Sequence, residues 1–211
     1  MGIVTLGIPQ QIVIELARLN ASTVFVETGT FHGSTTRWAA NHFELVHTIE
    51  RMETLYREHC GELSQIKGVI PHLGDSRDIL PRIVGEIRAQ RAVFWLDGHW
   101  SGTGTFGESD ECPLLEELAC LASRTKDIIL IDDARLFLSA PPLPHNPSQW
   151  PTISDIVDAL PASAGKPFVQ IVDDVIFIVP NEDALRNHLV DYAQGRSNEF
   201  WGEFGKLQRG R

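Results

Sequence analysis

Acidic residues follow five short apolar runs of this sequence, and their spacing is the strongest sign of chemistry in the chain. They are Glu27, Glu50, Asp75, Asp97 and the pair Asp132-Asp133. Each apolar run is typical of a buried strand, and ligands of open α/β sheets bind beyond the carboxyl ends of the strands. One acid in such a position is often only a helix cap. Acids after all five runs predict a binding site at one edge of a sheet.

A glycine-containing loop follows the first run. It reads Glu27-Thr28-Gly29-Thr30-Phe31-His32-Gly33-Ser34-Thr35. Glycine permits a tight turn and a close approach of the backbone to a ligand. The loop has neither the GxGxxG pattern of dinucleotide sites nor the Gly-Lys-Ser/Thr of a P-loop. Glu50 lies where a carboxylate can accept both ribose hydroxyls of an adenosine group. His32 is expected to fill the loop or to contact the substrate.

Residues after the fourth and fifth runs predict either a metal site or a catalytic base. Neighbouring strands lie about 4.8 Å apart, so Asp97, Asp132 and Asp133 could share Mg²⁺, Mn²⁺ or Ca²⁺. Both aspartates of the pair reach such a site only if the chain has left the strand at Asp133. Alternatively, the aspartates cap helices and Asp133 pairs with Arg135. His99 is the other candidate for accepting a hydroxyl proton, with Asp97 orienting it.

The elements that must position these residues alternate between strands and helices. A βαβαβαβαβ pattern with near-continuous apolar strands predicts a parallel sheet that is covered by helices on both faces. Two later runs, separated by Asp173-Asp174, predict a hairpin and therefore an antiparallel edge strand. The predicted strands are 24–26, 45–49, 69–73, 92–96, 128–131, 168–172 and 175–179. The predicted helices are 10–19, 34–43, 52–65, 79–87 with Pro81 in the first turn, 113–121 and 182–193.

Composition predicts one globular α/β domain over residues 1–211. The chain has 211 residues, of which 43% are hydrophobic and 22% are charged. An N-terminal helix is expected within 1–22, a proline-rich loop at 138–151, and a C-terminal helix and tail at 182–211. A net charge of −10 makes nucleic acid or an anionic membrane a poor partner. The three cysteines form no CxxC pair and no signal-peptide pattern opens the chain, so a cytoplasmic location is expected.

Two loops are expected to cover an acceptor molecule. The first runs from Trp100 to Cys112 and contains Gly102, Gly104 and Gly107. The second is the proline-rich loop, after which Trp150 either walls the same pocket or packs in the lid. Long loops of compact domains are often functional. No GxSxG sequence indicates a serine hydrolase, and no cysteine–histidine cluster indicates zinc.

From Val24 to Val179 the chain resembles the class I S-adenosylmethionine-dependent methyltransferases. The resemblance rests on Glu27-Thr-Gly-Thr-Phe-His-Gly-Ser-Thr, Glu50, Gly74-Asp75-Ser76 and Asp97. It implies a Rossmann-like three-layer sandwich with a mostly parallel seven-stranded sheet. It also implies that Glu50 binds the ribose of the cofactor and that Asp75-Ser76 bind the adenine. The residues implied for the remainder of the cofactor are Glu27, Gly29, Thr30, Gly33, Ser34 and Asp97.

The acids after the fourth and fifth strands are similar to those of metal-dependent small-molecule O-methyltransferases of the catechol and macrolide sugar types. This resemblance implies that Asp97, Asp132 and Asp133 hold a divalent cation that acidifies the acceptor hydroxyl. The expected activity is methyl transfer to a small hydroxylated acceptor, with or without the cation. Assembly into a homo-oligomer is compatible with the sequence. The alternatives are a nicotinamide-dependent oxidoreductase, for which the glycine-rich turn is missing, and a non-catalytic adenosine-ligand binding protein.

Overall fold

A seven-stranded sheet forms the centre of the protein. The computed structural model describes residues 7–102, 105, 107–161 and 166–209, without the side chains of 207–209. The strand order is β3-β2-β1-β4-β5-β7-β6. The strands are β1 (Val24–Thr28), β2 (Leu45–Glu50), β3 (Val69–Leu73), β4 (Ala92–Leu96), β5 (Ile128–Ile131), β6 (Phe168–Val172) and β7 (Val175–Val179).

Five of these strands run in parallel, so their carboxyl ends meet at one edge of the sheet. β1 pairs with β2 and β4, β2 with β3, and β4 with β5, all in parallel. β7 lies antiparallel between β5 and β6. This is the predicted fold class, including the antiparallel hairpin at the sheet's edge. The register places Thr28 of β1 opposite Leu96 of β4, so the first loop lies beside Asp97.

Helices cover both faces of the sheet. They are α1 (Gln10–Leu19), α2 (Ser34–Ala39), α3 (Glu53–Leu55), a π-helical segment (Tyr56–Cys60), α4 (Gly61–Leu63), α5 (Ser76–Glu86), α6 (Leu114–Leu121), α7 (Arg135–Leu138), α8 (Ile153–Ala159) and α9 (Asp183–Arg209). Within the described residues, none of these helices has the length and apolar character that crossing a membrane requires.

Three helix boundaries differ from the prediction by three residues or more. α2 ends at Ala39 instead of Phe43, and α9 continues to Arg209 although glycines make its second half a poor helix former. α5 begins at Ser76, because the Asp75 carboxylate caps it by accepting the backbone N–H of Arg77 at 2.9 Å. Pro81 therefore lies in the helix interior, and its prediction in the first turn is wrong.

The core consists of two apolar layers, one on each face of the sheet. One layer packs Phe25 and Trp95 against α1, α2 and α9. The other packs Phe94 and Ile131 against α5, α6 and α8. Every residue of β1, β4, β5 and β7 is buried. Burying each large apolar side chain contributes about 1.5–3 kcal/mol, so the strand ends that carry the acids are anchored to a rigid support.

Candidate active site

A cavity of about 520 Å³ opens at the carboxyl edge of the sheet. Its position, outside the ends of parallel strands, is where α/β proteins bind ligands. The residues that line it include six of those predicted to form the site: Gly29, Glu50, Asp75, Ser76, Asp97 and His99. His32 and Phe31 of the first loop line it as well. The acids that are far apart in the sequence thus surround one space.

Gly29 makes the close approach of the first loop possible. Its φ of +85° lies in the left-handed region, and a Cβ there would come within 2.3 Å of the backbone oxygen of Asp97. The loop therefore packs directly on the end of β4. Gly33 has φ +72° and precedes α2 as its N-cap residue. A larger residue at either position would strain this turn.

Glu50 is fixed at the cavity wall by backbone donors. It is 6% exposed. Its Oε2 accepts the Phe31 N–H at 2.9 Å, and its Oε1 accepts the Met52 N–H at 2.8 Å. A carboxylate oxygen has two acceptor sites, so each oxygen retains one for a hydroxyl group. The arrangement fits a ribose whose two hydroxyls donate to Glu50.

The next acid, Asp75, belongs to an ion-pair cluster. Arg77 donates to it from Nε at 3.0 Å and from Nη2 at 2.7 Å, and Arg51 Nε lies 3.1 Å from Oδ2. Burial raises the pKa of Asp75, but the hydrogen bonds from Arg77 and the charge of Arg51 outweigh it and lower the pKa. Asp110 of the first covering loop pairs with both arginines. This end of the cavity is therefore tied to the covering loop.

Four of the residues that the resemblance implied for the cofactor do not line the cavity: Glu27, Thr30, Gly33 and Ser34. Glu27 is 2% exposed, and its Oε2 accepts hydrogen bonds from the hydroxyls of Thr36 and Thr48. Burial raises its pKa to about 7. The Thr30 hydroxyl lies 2.6 Å from that of Thr48. Glu27 and Thr30 therefore stabilise the first loop from the protein interior and do not line the cavity.

His99 is held by Asp133 at the other end of the cavity. The ring nitrogen Nε2 lies 2.9 Å from Asp133 Oδ2. Burial lowers the pKa of His99, but the hydrogen bond with Asp133 and the charge of Asp97 outweigh it and raise the pKa. Asp133 has a left-handed backbone, with φ 56°, so the chain has left the strand at this residue. That turn directs the carboxylate of Asp133 to His99.

Arg135 neutralises Asp133, which was the alternative left open by the sequence. Its Nη1 lies 2.6 Å from Asp133 Oδ1. Burial opposes ionisation of Asp133, but hydrogen bonds from His99 and Arg135 hold its pKa at about 2. Arg135 is in turn held by Asp174 of the β6–β7 turn, which pairs with its guanidinium and accepts its backbone N–H at 3.1 Å.

The predicted divalent-cation site has no support in this arrangement. Both oxygens of Asp133 are engaged, and Asp132 Oδ1 accepts the Asp133 N–H at 2.8 Å. Asp97 Oδ1 lies 3.9 Å from His99 Nε2. Among the residues described, no three His, Cys, Asp or Glu side chains are placed to hold a metal ion. Burial raises the pKa of Asp97, and it raises that of Asp132 to about 6.

The two loops that were expected to cover the acceptor meet at Glu111, for which the sequence predicted no role of its own. Glu111 is 2% exposed. Its Oε2 accepts Trp150 Nε1–H at 2.5 Å and lies 3.0 Å from His145 Nδ1, while Oε1 accepts the Asn146 N–H at 2.8 Å. Trp150 is buried, and its ring lies 5.2 Å from that of His99. Trp150 therefore packs behind His99 and does not line the cavity.

Sequence reasoning also missed Glu117. It is 2% exposed, and its Oε1 has no hydrogen-bond partner among the described residues. Burial raises its pKa to about 7, which the hydroxyls of Ser76 and Thr28 partly oppose. Its spacing carries a signal, because the buried stripe of α6 is Leu114, Glu117, Leu118 and Leu121. An acid within an apolar helical stripe indicates a buried carboxyl group.

Comparison with known proteins gives structural neighbours only. The sequence matches no protein-family model and no curated protein. The O-methyltransferase TomG from Streptomyces achromogenes, involved in tomaymycin synthesis and solved with S-adenosylmethionine, is 16% identical, with 84% of this chain and 82% of that chain covered and a TM-score of 0.55. Human methyltransferase-like protein 13, solved with S-adenosylhomocysteine, is 14% identical, with 90% and 87% covered and a TM-score of 0.54.

A third neighbour is the methyltransferase PaMTH1 from Podospora anserina, also solved with S-adenosylhomocysteine. It is 13% identical, with 82% of this chain and 78% of that chain covered and a TM-score of 0.52. At these identities the likeness concerns the fold. The sheet order and the antiparallel β7 agree with it. The chain therefore has the Rossmann-like fold of the class I S-adenosylmethionine-dependent methyltransferases.

Proposed function

We propose that this protein transfers a methyl group from S-adenosylmethionine to a small hydroxylated acceptor, in a reducing cytoplasm. The observation that carries the proposal is the single cavity wall shared by Gly29, Glu50, Asp97 and His99. One part of this wall suits an adenosine group, and the other carries a buried histidine–carboxylate pair. The three cysteines are free thiols, in keeping with that compartment.

The cofactor half of the cavity would be formed by backbone and carboxylates. Glu50 would accept the ribose hydroxyls, because its position is fixed by two backbone donors. Gly29 would let the first loop lie against the methionine part. Asp75 and Ser76 would lie at the adenine. When bound, S-adenosylmethionine supplies an electrophilic methyl group on a positively charged sulfur.

His99 would accept the proton of the acceptor hydroxyl as the oxygen takes the methyl group. Asp133 occupies Nε2, so Nδ1 is the nitrogen left to receive the proton. Asp133 would stabilise the resulting imidazolium, and the carboxyl group of Asp97 lies close by. Methyl transfer itself needs mainly in-line positioning of the reacting atoms. We assign no step to a divalent cation.

Ligand binding separates this proposal from its alternatives. Calorimetric titration should show binding of S-adenosylhomocysteine and none of NAD. Glu50→Ala should weaken the former by about 10- to 150-fold, because a hydrogen bond to a charged group contributes about 1.5–3 kcal/mol. Glu53→Ala removes an exposed carboxylate from the same segment and should leave affinity unchanged. Binding of NAD instead, or equal affinity in Glu50→Ala, would contradict the cofactor assignment.

A non-catalytic binding protein would pass the same titration. It is distinguished by turnover with a panel of small phenols, sugars and other hydroxylated compounds. The proposal expects S-adenosylhomocysteine to form only when an accepted compound is present. Tight binding without turnover across the panel would favour the non-catalytic alternative.

A further inference from the structure

We propose that Arg135 occupies the cationic position of this site, so that the protein binds no divalent cation there, and that Asp174 fixes Arg135 in place. The inference deepens the proposed methyl transfer and rests on it. Arg135 acts through Asp133 and is a positioning residue, since it does not line the cavity.

The first step of the argument concerns the oxygens of Asp133. Oδ1 lies 2.6 Å from Arg135 Nη1 and Oδ2 lies 2.9 Å from His99 Nε2. A magnesium ion needs its oxygens at about 2.0–2.1 Å with near-octahedral geometry. An ion that close to Oδ1 would stand against the guanidinium, whose charge has the same sign. The aspartate pair therefore lacks one of the ligands that a cation would need.

The second step concerns the rigidity of Arg135. Asp174 is 2% exposed and holds both the backbone N–H and the guanidinium of Arg135. The Asp174 carbonyl also accepts the Ala134 N–H at 2.8 Å. Moving Arg135 away would leave the Asp174 carboxylate buried without its cation, which is costly. The β6–β7 turn thus keeps the guanidinium on Asp133.

The third step concerns what the pairing does for His99. With Oδ1 held by Arg135, the other oxygen of Asp133 stays directed at His99 Nε2. A cation on Asp133 would draw that oxygen away from the imidazole. The same contact that replaces a metal ion therefore orients the proposed proton acceptor. A metal-free site and a histidine base are two consequences of one ion pair.

The experiment is a titration of chelator-treated protein with Mn²⁺, with free Mn²⁺ followed by electron paramagnetic resonance. The wild type should leave Mn²⁺ free, with or without S-adenosylhomocysteine. Arg135→Gln should bind one Mn²⁺, because Asp133 then loses its fixed cation and can share the ion with the nearby Asp132. Arg135→Lys retains the charge and should bind none. Arg196→Gln is the matched control, since Arg196 pairs with Asp173 of the same turn, and it should also bind none.

Two outcomes would overturn the proposal. One is a stoichiometric Mn²⁺ site in the wild type that Asp132→Asn abolishes. The other is the absence of Mn²⁺ binding in Arg135→Gln, which would mean that Arg135 is not what keeps the ion out. If Arg135→Gln does not fold, the double variant Arg135→Gln/Asp174→Asn, in which Asp174 is no longer a buried carboxylate without its cation, is titrated in its place, with the same two outcomes deciding.

Affinity for S-adenosylhomocysteine is measured on each variant and keeps the two proposals apart. If the wild type does not bind S-adenosylhomocysteine, the methyltransferase proposal is refuted. The Mn²⁺ titration would still decide the role of Arg135. Turnover of the wild type should be unchanged by a chelator. The pH profile of Arg135→Gln should shift with respect to wild type, whereas that of Arg196→Gln should not.

Discussion

The two ends of the cavity are built in different ways. At the ends of β1 and β2, main-chain groups hold the site: Gly29 packs on the backbone of Asp97, and Glu50 accepts the N–H groups of Phe31 and Met52. At the ends of β4 and β5, His99 depends on a chain of side chains that reaches the β6–β7 turn. The first arrangement depends on main-chain positions that the pairing of the strands sets, and the second depends on side-chain contacts between elements that are distant in the sequence.

The largest effect is expected at the end that main-chain contacts build. Gly29→Ala would force a Cβ to within 2.3 Å of a backbone oxygen, at a φ that suits glycine. We expect loss of S-adenosylhomocysteine binding, or loss of folding, since the strained backbone adds about 1–3 kcal/mol to the overlap. Gly85→Ala, in α5 with open space around it, is the control. Normal binding by Gly29→Ala would show that the turn is not required.

Next in size is the effect of removing Glu111 from the end that depends on distant contacts. Glu111→Ala leaves buried donors of the second loop without an acceptor, and each unsatisfied group costs about 1–3 kcal/mol. We expect the free energy of unfolding to fall by about 3 kcal/mol, measured by urea denaturation with tryptophan fluorescence. The exposed Glu108 of the same loop provides the control, Glu108→Ala. Equal stability of both variants would refute the role of Glu111.

The same difference between main-chain and side-chain contacts explains which features of the fold and of the site the sequence predicted. All seven strands, the hairpin and the acids at the sheet edge follow from periodicity, because each strand is a short apolar run bounded by turn residues. The pairing of Asp133 with Arg135 was open beforehand, since the residues are near each other in sequence. Asp174 and Glu111 were not found, because their partners lie 39 and 34–39 residues away. Tertiary packing decides such contacts.

A smaller effect, visible as a pH dependence, is expected at Glu117. Its carboxyl holds a proton up to about pH 7 in the native state, whereas the ordinary value is 4.5. Between these values the native state binds more protons than the unfolded state, so this group's contribution to stability is lost as pH rises through 7.

Glu117→Gln has no carboxyl group to ionise and therefore avoids that loss. As the pH rises from 5 to 8, the free energy of unfolding of the variant should increase relative to that of wild type. The change is at most about 1.4 kcal/mol per pH unit for one proton. Thermal unfolding at several pH values measures it. The exposed neighbour Glu116 supplies the control, Glu116→Gln, which should show no such trend. A difference from wild type that does not vary with pH would mean that Glu117 keeps its ordinary ionisation.

The smallest effect is expected at Asp110, which ties the first covering loop to Arg51 and Arg77. Its side chain is 39% exposed, and such ion pairs contribute about 0–1 kcal/mol. Asp110→Asn should leave global stability nearly unchanged and should speed amide exchange near residues 110–112. High salt should have the same effect on wild type. Unchanged exchange in both experiments would show that the ion pairs do not hold the loop.

The central claim is that one end of the cavity binds the methyl donor while His99 performs the chemistry at the other. The most direct measurement is single-turnover transfer of a labelled methyl group from S-adenosylmethionine to an accepted hydroxylated compound, in wild type and in His99→Asn. We predict transfer by wild type, and a loss of at least about 100-fold in the variant with unchanged affinity for S-adenosylhomocysteine. Equal rates in the two proteins, or no labelled product with any acceptor, would contradict the account.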